Sequence, residues 1–153
     1  MTDSQKVKSK QIDSIFVPSI EIPDVLEFTW GNQGTATATQ DSDGIYLEAT
    51  GNDGVHYLYK TAPSVPYVLT ALIQPSPMLA NFIKNCLFWR SSSDGKITLA
   101  GPGYNGYNGG FALEVVKFTN FTTWYQNTLG LSLGFSPYFW LRLSDDNTNR
   151  ICK

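Results

Sequence analysis

Any chemistry on this chain has to start from its acids, its single histidine or its clusters of aromatic and amide side chains. Glycoside hydrolysis needs two positioned carboxylates, one to attack or activate water and one to protonate the leaving oxygen. The densest acidic stretch, from Glu21 through Asp24 to Glu27, contains Pro23 and lacks the alternation that places two acids on one strand face. Glu48 and Glu114 stand alone on their segments and read as solvent-facing acids. His56 is the only histidine, so a zinc site has no ligand set and no imidazole remains for a second role. A Ser-His-Asp triad would also need a Gly-x-Ser-x-Gly elbow, which the sequence lacks. His56 reads as a strand residue between Val55 and Tyr57. These residues predict neither an enzyme nor a bound cofactor or metal.

Gly101, Gly103 and Gly106 match the spacing of a dinucleotide-binding loop. Pro102 lies inside the match and the next element reads as a strand, whereas that motif must open a helix. The near-repeat Tyr104-Asn105-Gly106 and Tyr107-Asn108-Gly109 has a different chemistry. Aromatic faces beside amide donors and acceptors suit sugar rings, which present apolar C–H faces edged by hydroxyls. The plain alternative is a turn joining two strands. Trp140 and Arg142 alternate with Phe139, Leu141 and Leu143, so they project to the opposite side of a strand and would form a stacking platform. Asp41-Ser-Asp43-Gly44 and Asp145-Asp146-Asn147 lack the closing Glu of a calcium loop and read as turns.

The elements that would hold these residues are strands. The chain has 153 residues, 14% of them aromatic and 16% charged, with 13 Gly and 8 Pro. That is one domain's length and an all-β balance. A formal charge of −2 predicts no basic surface for nucleic acid. The longest apolar run, Tyr67 to Ile73, is far too short to span a membrane, and the polar first ten residues have no secretory core. Cys86 and Cys152 fall on strand-like segments, either as one bridge or as two buried thiols.

Residues 1–24, polar and bracketed by Pro18 and Pro23, read as a linker or attachment arm, and residues 25–153 as the folded domain. A strand is expected to begin at Leu26, with Leu26, Phe28 and Trp30 on one face. Pro66 to Gln74 is apolar at nearly every position and reads as a strand buried on both faces. Met78 to Asn85 is expected to form a short helical turn, and 101–110 a loop. Asp145 to Asn149 should turn the chain into a short return strand, pairing Ile151 and Cys152 with Phe139–Ser144. Roughly ten short strands with frequent turn signals predict an antiparallel β-sandwich or jelly roll.

Four segments carry a resemblance: Phe28 to Trp30 with Asn32 to Gly34, Gly44 to Leu47, Pro66 to Ile73, and Phe139 to Asp146 with Thr148 to Arg150. Together they resemble the concanavalin A-like lectin/glucanase superfamily, in the small jelly-roll form found in phage tail and other virion proteins. The resemblance spans about residues 26 to 153 and implies two curved antiparallel sheets with a face or rim open to a glycan. It also implies a final strand beyond Lys153, so the last strands are expected to be missing or supplied by another chain. The expected function is therefore a non-catalytic virion or tail-associated module that contacts glycans through Tyr104, Asn105, Tyr107, Asn108, Trp140 and Arg142. Its expected partners are a glycan, other virion or tail chains and further copies of itself. The alternative is a purely structural module that binds protein by strand addition at an open edge. A glycoside hydrolase ranks third.

Overall fold

The structure, a computed structural model, describes residues 21–50, 54–75, 83–105, 110–132 and 138–153. Most of the arm expected over 1–24, and most of the helical turn expected over 78–85, lie outside these residues. Among the described residues the chain is all-β, with several antiparallel sheets in keeping with a β-sandwich. No helix among them is long and apolar enough to cross a membrane.

The strands are β1 (Thr29–Asn32), β2 (Thr37–Gln40), β3 (Ile45–Glu48), β4 (Tyr57–Tyr59), β5 (Tyr67–Ile73) and β6 (Leu87–Arg90). They continue with β7 (Ile97–Asn105), β8 (Gly110–Phe118), β9 (Trp124–Ser132), β10 (Phe139–Asp145) and β11 (Arg150–Cys152). Four strands form the largest sheet in the order β6-β7-β8-β9, and three form a second in the order β11-β10-β5. β1 pairs with β4, and β2 with β3, as two-stranded ribbons.

Register fixes what each face of the four-stranded sheet meets. Leu87, Trp89, Ala100, Pro102, Tyr104 and Phe111 share one face. From it the Trp89 indole N–H donates to the Tyr67 hydroxyl at 3.1 Å, and the Phe111 ring lies 5.4 Å from that of Phe139. These contacts join it to the inner face of the three-stranded sheet, where Leu141 and Leu143 are buried. Ile97, Leu99, Val116 and Phe118 point to the other side with Phe88. There Ile97, Leu99, Phe118 and Phe88 pack with Tyr57 and Tyr59 of the β1–β4 ribbon, with Tyr57 edge-on to Phe88 at 5.1 Å. Apolar burial on both faces explains why Ile97, Val116 and Ala100 are essentially inaccessible.

Several expectations change. Leu26 lies in a 3-10 turn over Val25–Glu27 that the Asp24 carboxylate caps, and it is exposed; the strand begins only at Thr29. His56 precedes β4 rather than lying within it. β7 runs through Gly101-Pro102-Gly103-Tyr104-Asn105, so the first half of the expected loop is strand. Residues 83–85 extend the β6 edge alongside β7 rather than coiling: Asn85 N–H donates to the Pro102 carbonyl, and Tyr104 N–H to that of Ile83. The pieces expected near Thr122 and Leu129 are parts of one strand, β9. β5 is not buried on both faces. It is the edge strand of its sheet, and Val68, Leu69 and Leu72 are exposed.

The terminal hairpin forms as its turn residues predict. Leu143, Ser144 and Asp145 pair with Cys152, Ile151 and Arg150, and Arg142 and Lys153 exchange backbone hydrogen bonds of 2.8 and 2.9 Å. Asn147 takes the left-handed conformation, φ 74°, which an amide side chain tolerates. Asp145 accepts from Asn147 N–H and from Arg150 Nε, while Asp146 accepts from the N–H groups of Thr148 and Asn149. Asp41 accepts in the same way from Asp43 and Gly44. Both acidic runs are thus occupied by turn bonds.

Candidate functional site

The outer face of the three-stranded sheet is built by simple alternation. On β10, Phe139, Leu141 and Leu143 point inward, so Trp140, Arg142 and Ser144 point out. Across the ladder they face Leu72, Thr70 and Val68 of β5. On the other side, Ile151 of β11 and Lys153 lie beside Ser144 and Arg142. Trp140 is 56% exposed and Val68 63%. Arg142 Nε donates to Thr70 Oγ1 at 3.3 Å, which steadies the guanidinium over the sheet. Thr70, Trp140, Arg142 and Lys153 line a shallow depression of about 370 Å³. None of these eight outward positions is acidic, and two of them are cationic. The face therefore offers an indole plane, a hydroxyl and adjacent positive charges to a flat polar ligand.

Of the other residues expected to join a glycan site, Tyr104 lies on β7 in register with Phe111, on the face that looks toward the three-stranded sheet's interior. It does not share the outer surface with Trp140 and Arg142. Tyr107, Asn108 and the side chain of Asn105 lie outside the described residues.

A second polar constellation is one that sequence reading missed. Glu114, expected to face solvent, is fully buried on β8. Its Oε2 receives Lys84 Nζ, and its Oε1 accepts from Asn127 Nδ2 at 2.9 Å. Lys84 sits on the β6 edge opposite Gly103, and Asn127 on β9, so three side chains span the whole four-stranded sheet. Two features make this reach achievable. Glu114 pairs with Gly101, and a Cβ on Gly103 would sit 2.9 Å from Glu114 Oε2 and 3.0 Å from Lys84 Cγ, so glycines leave the passage open. A bulge between Val115 and Val116 then sets Asn127 against Val116, on the same face as Glu114.

Burial holds the Lys84 amine below the ordinary lysine range, with a smaller opposing influence from Cys86. Burial also pushes the Cys86 thiol up to about 12, so it is an inert core thiol rather than a nucleophile. Cys86 and Cys152 are both free thiols.

Glu27 is held by Lys60 at 2.9 Å at the surface, and Glu48 is exposed on β3. Comparison with protein-family models, with curated proteins and with solved structures finds no match for this chain.

Proposed function

We propose that the chain is a non-catalytic β-sandwich module that binds saccharide on the outer face of its three-stranded sheet. Trp140 stacks against a sugar ring, while Thr70 and Arg142 hydrogen-bond to its hydroxyls. The single observation that carries this reading is the exposed indole beside Arg142 and Lys153 on a sheet face that no described segment covers. An aromatic in solvent next to polar groups within a shallow depression suits a ligand-binding surface. The paired cations favour saccharides bearing carboxylate or sulfate groups.

The non-catalytic part of this reading is supported by three described glutamates: Glu114 is buried and engaged, and Glu27 and Glu48 lie on separate elements. The jelly-roll, concanavalin A-like assignment and the virion or tail setting rest on the sequence resemblance. A glycan array read with wild-type protein and with Trp140→Ala tests the binding assignment. Binding to neutral or acidic saccharides that disappears in the variant supports it, and an array blank for wild type rejects it.

A second reading has its own observation. Val68, Leu72 and Ile151 surround the same face and are 63%, 43% and 42% exposed. An apolar rim of this kind also fits a protein partner, including another copy of the chain. Light scattering separates the two, because a monomer that binds oligosaccharide has no need of a second copy on this face.

A further inference from the structure

We propose that Lys84 and Glu114 become joined by an amide bond between the lysine nitrogen and the glutamate side-chain carbon, formed by this chain on itself with loss of one water.

The two side chains meet above Gly103. A Cβ built there would sit 2.9 Å from Glu114 Oε2 and 3.0 Å from Lys84 Cγ. The lysine stem and the carboxylate therefore flank one point, and the amine needs only its last three bonds to reach the carboxyl group. It does reach it, because Lys84 Nζ contacts Glu114 Oε2. Oε2 is bonded to Cδ, the carbon that an amine attacks, so the same contact brings nitrogen and carbon together. Glu114 is fully buried and the Lys84 side chain only 12% exposed, so water neither screens the pair nor competes for the carboxyl carbon. A buried ion pair carries a desolvation cost for each charge. Burial also disfavours the ammonium form of Lys84. Passing one proton from Nζ to Oε2 cancels both charges and leaves a neutral amine against a neutral carboxylic acid. Asn127 Nδ2 donates to Glu114 Oε1 at 2.9 Å, on the oxygen where negative charge develops as Cδ becomes tetrahedral. Holding amine and acid together in one sheet removes the entropy of bringing them together.

The step balances without an added reagent. After the first proton has moved to Oε2, the freed electron pair on Nζ attacks Glu114 Cδ and pushes the carbonyl pair onto Oε1. The nitrogen passes a second proton to Oε2. The Cδ–Oε2 bond breaks with its pair on oxygen, which departs as water, while the carbonyl re-forms at Oε1. The amide nitrogen keeps one of the three protons that the ammonium began with. The product is a neutral strap from residue 84, opposite Gly103, across β7 to β8.

Intact mass spectrometry of the full chain, reduced and denatured, tests this. The expected mass is one water below that of the linear chain with the same N-terminus. Trypsin should not cleave after Lys84 and should yield peptide 61–90 joined to peptide 97–117. The linear mass, with cleavage after Lys84, overturns the proposal, and so does a water deficit located at any other pair. Lys84→Arg keeps the cation and should show its full linear mass; a water deficit in that variant overturns the proposal too. Asn127→Ala changes an exposed position, and linkage in the freshly refolded chain should slow by about a hundredfold. Linkage at the wild-type rate would overturn the oxyanion role of Asn127.

Discussion

On β8 a glutamate is buried beneath glycines and held by a lysine, whereas on β10 a tryptophan and an arginine stand in solvent. Both strands alternate with period two. What differs is the layer above each outward-facing set. The β1–β4 ribbon packs on Ile97 and Leu99, on the sheet face that Glu114 shares, and residues 83–86 crowd the Cβ positions of Gly101 and Gly103. No described segment lies over Trp140, Arg142 and Leu72. Burial converts a charged group into a fixed, paired one, while exposure leaves an aromatic and two cations available to a ligand. Stability should therefore be concentrated at the first region and recognition at the second.

The largest expected effect is at Glu114. Glu114→Ala strands a buried lysine and should destabilise the fold by about 3–5 kcal/mol, while Glu114→Leu combined with Lys84→Met should recover most of it. Urea unfolding measures both, and equal losses in the single and double variants would break the claim that pairing, not mere volume, matters here. Next comes a matched pair of leucines on opposite faces of one sheet, Leu143 at 2% exposure and Leu72 at 43%. Leu143→Ala should lose about 2–5 kcal/mol by opening a cavity, and Leu72→Ala less than about 1 kcal/mol. Similar losses at both would mean that the outer face is covered in solution. Gly103→Ala should lose about 1–3 kcal/mol, because its methyl meets the Glu114 carboxylate and the Lys84 stem.

The smallest effect is at the terminal hairpin and depends on pH. The bond from Arg150, then that from Asn147 N–H, holds the Asp145 carboxyl below the ordinary carboxylate range; the N–H groups of Asn149 and Thr148 do the same for Asp146. Lowered folded-state values mean that their stabilisation is complete above the unfolded aspartate value of about 3.9 and is lost as pH falls through the folded ones. Amide exchange at residues 150–153 should accelerate in acid before that at 139–143 does. Parallel loss in both segments would show that the turn carboxylates do not anchor β11.

How much of this could be read from the sequence depends on what each pattern encodes. Alternation along Phe139 to Ser144 made the two faces of β10 legible, including the outward placement of Trp140 and Arg142. The Asp-Asp-Asn-Thr-Asn run likewise specified its turn, because those side chains bond their own backbone. Pro66 to Gln74 misled, since an apolar run says nothing about whether a second layer arrives. β5 is an edge strand with one uncovered face. Glu114 misled for the complementary reason: its partner Lys84 is thirty residues away in the chain, and Asn127 reaches it only through a bulge. A usable signal existed in Ala112, Glu114 and Val116, an acid flanked on its own face by small and apolar residues, opposite a strand with glycines at 101 and 103.

Titration calorimetry with the best oligosaccharide from the array, on wild type and Trp140→Ala, tests the proposed binding face most directly. Loss of one ring stack should weaken affinity by about tenfold. The melting temperature should stay unchanged, because Trp140 is exposed. Unchanged affinity in a folded Trp140→Ala variant would contradict the assignment of this face.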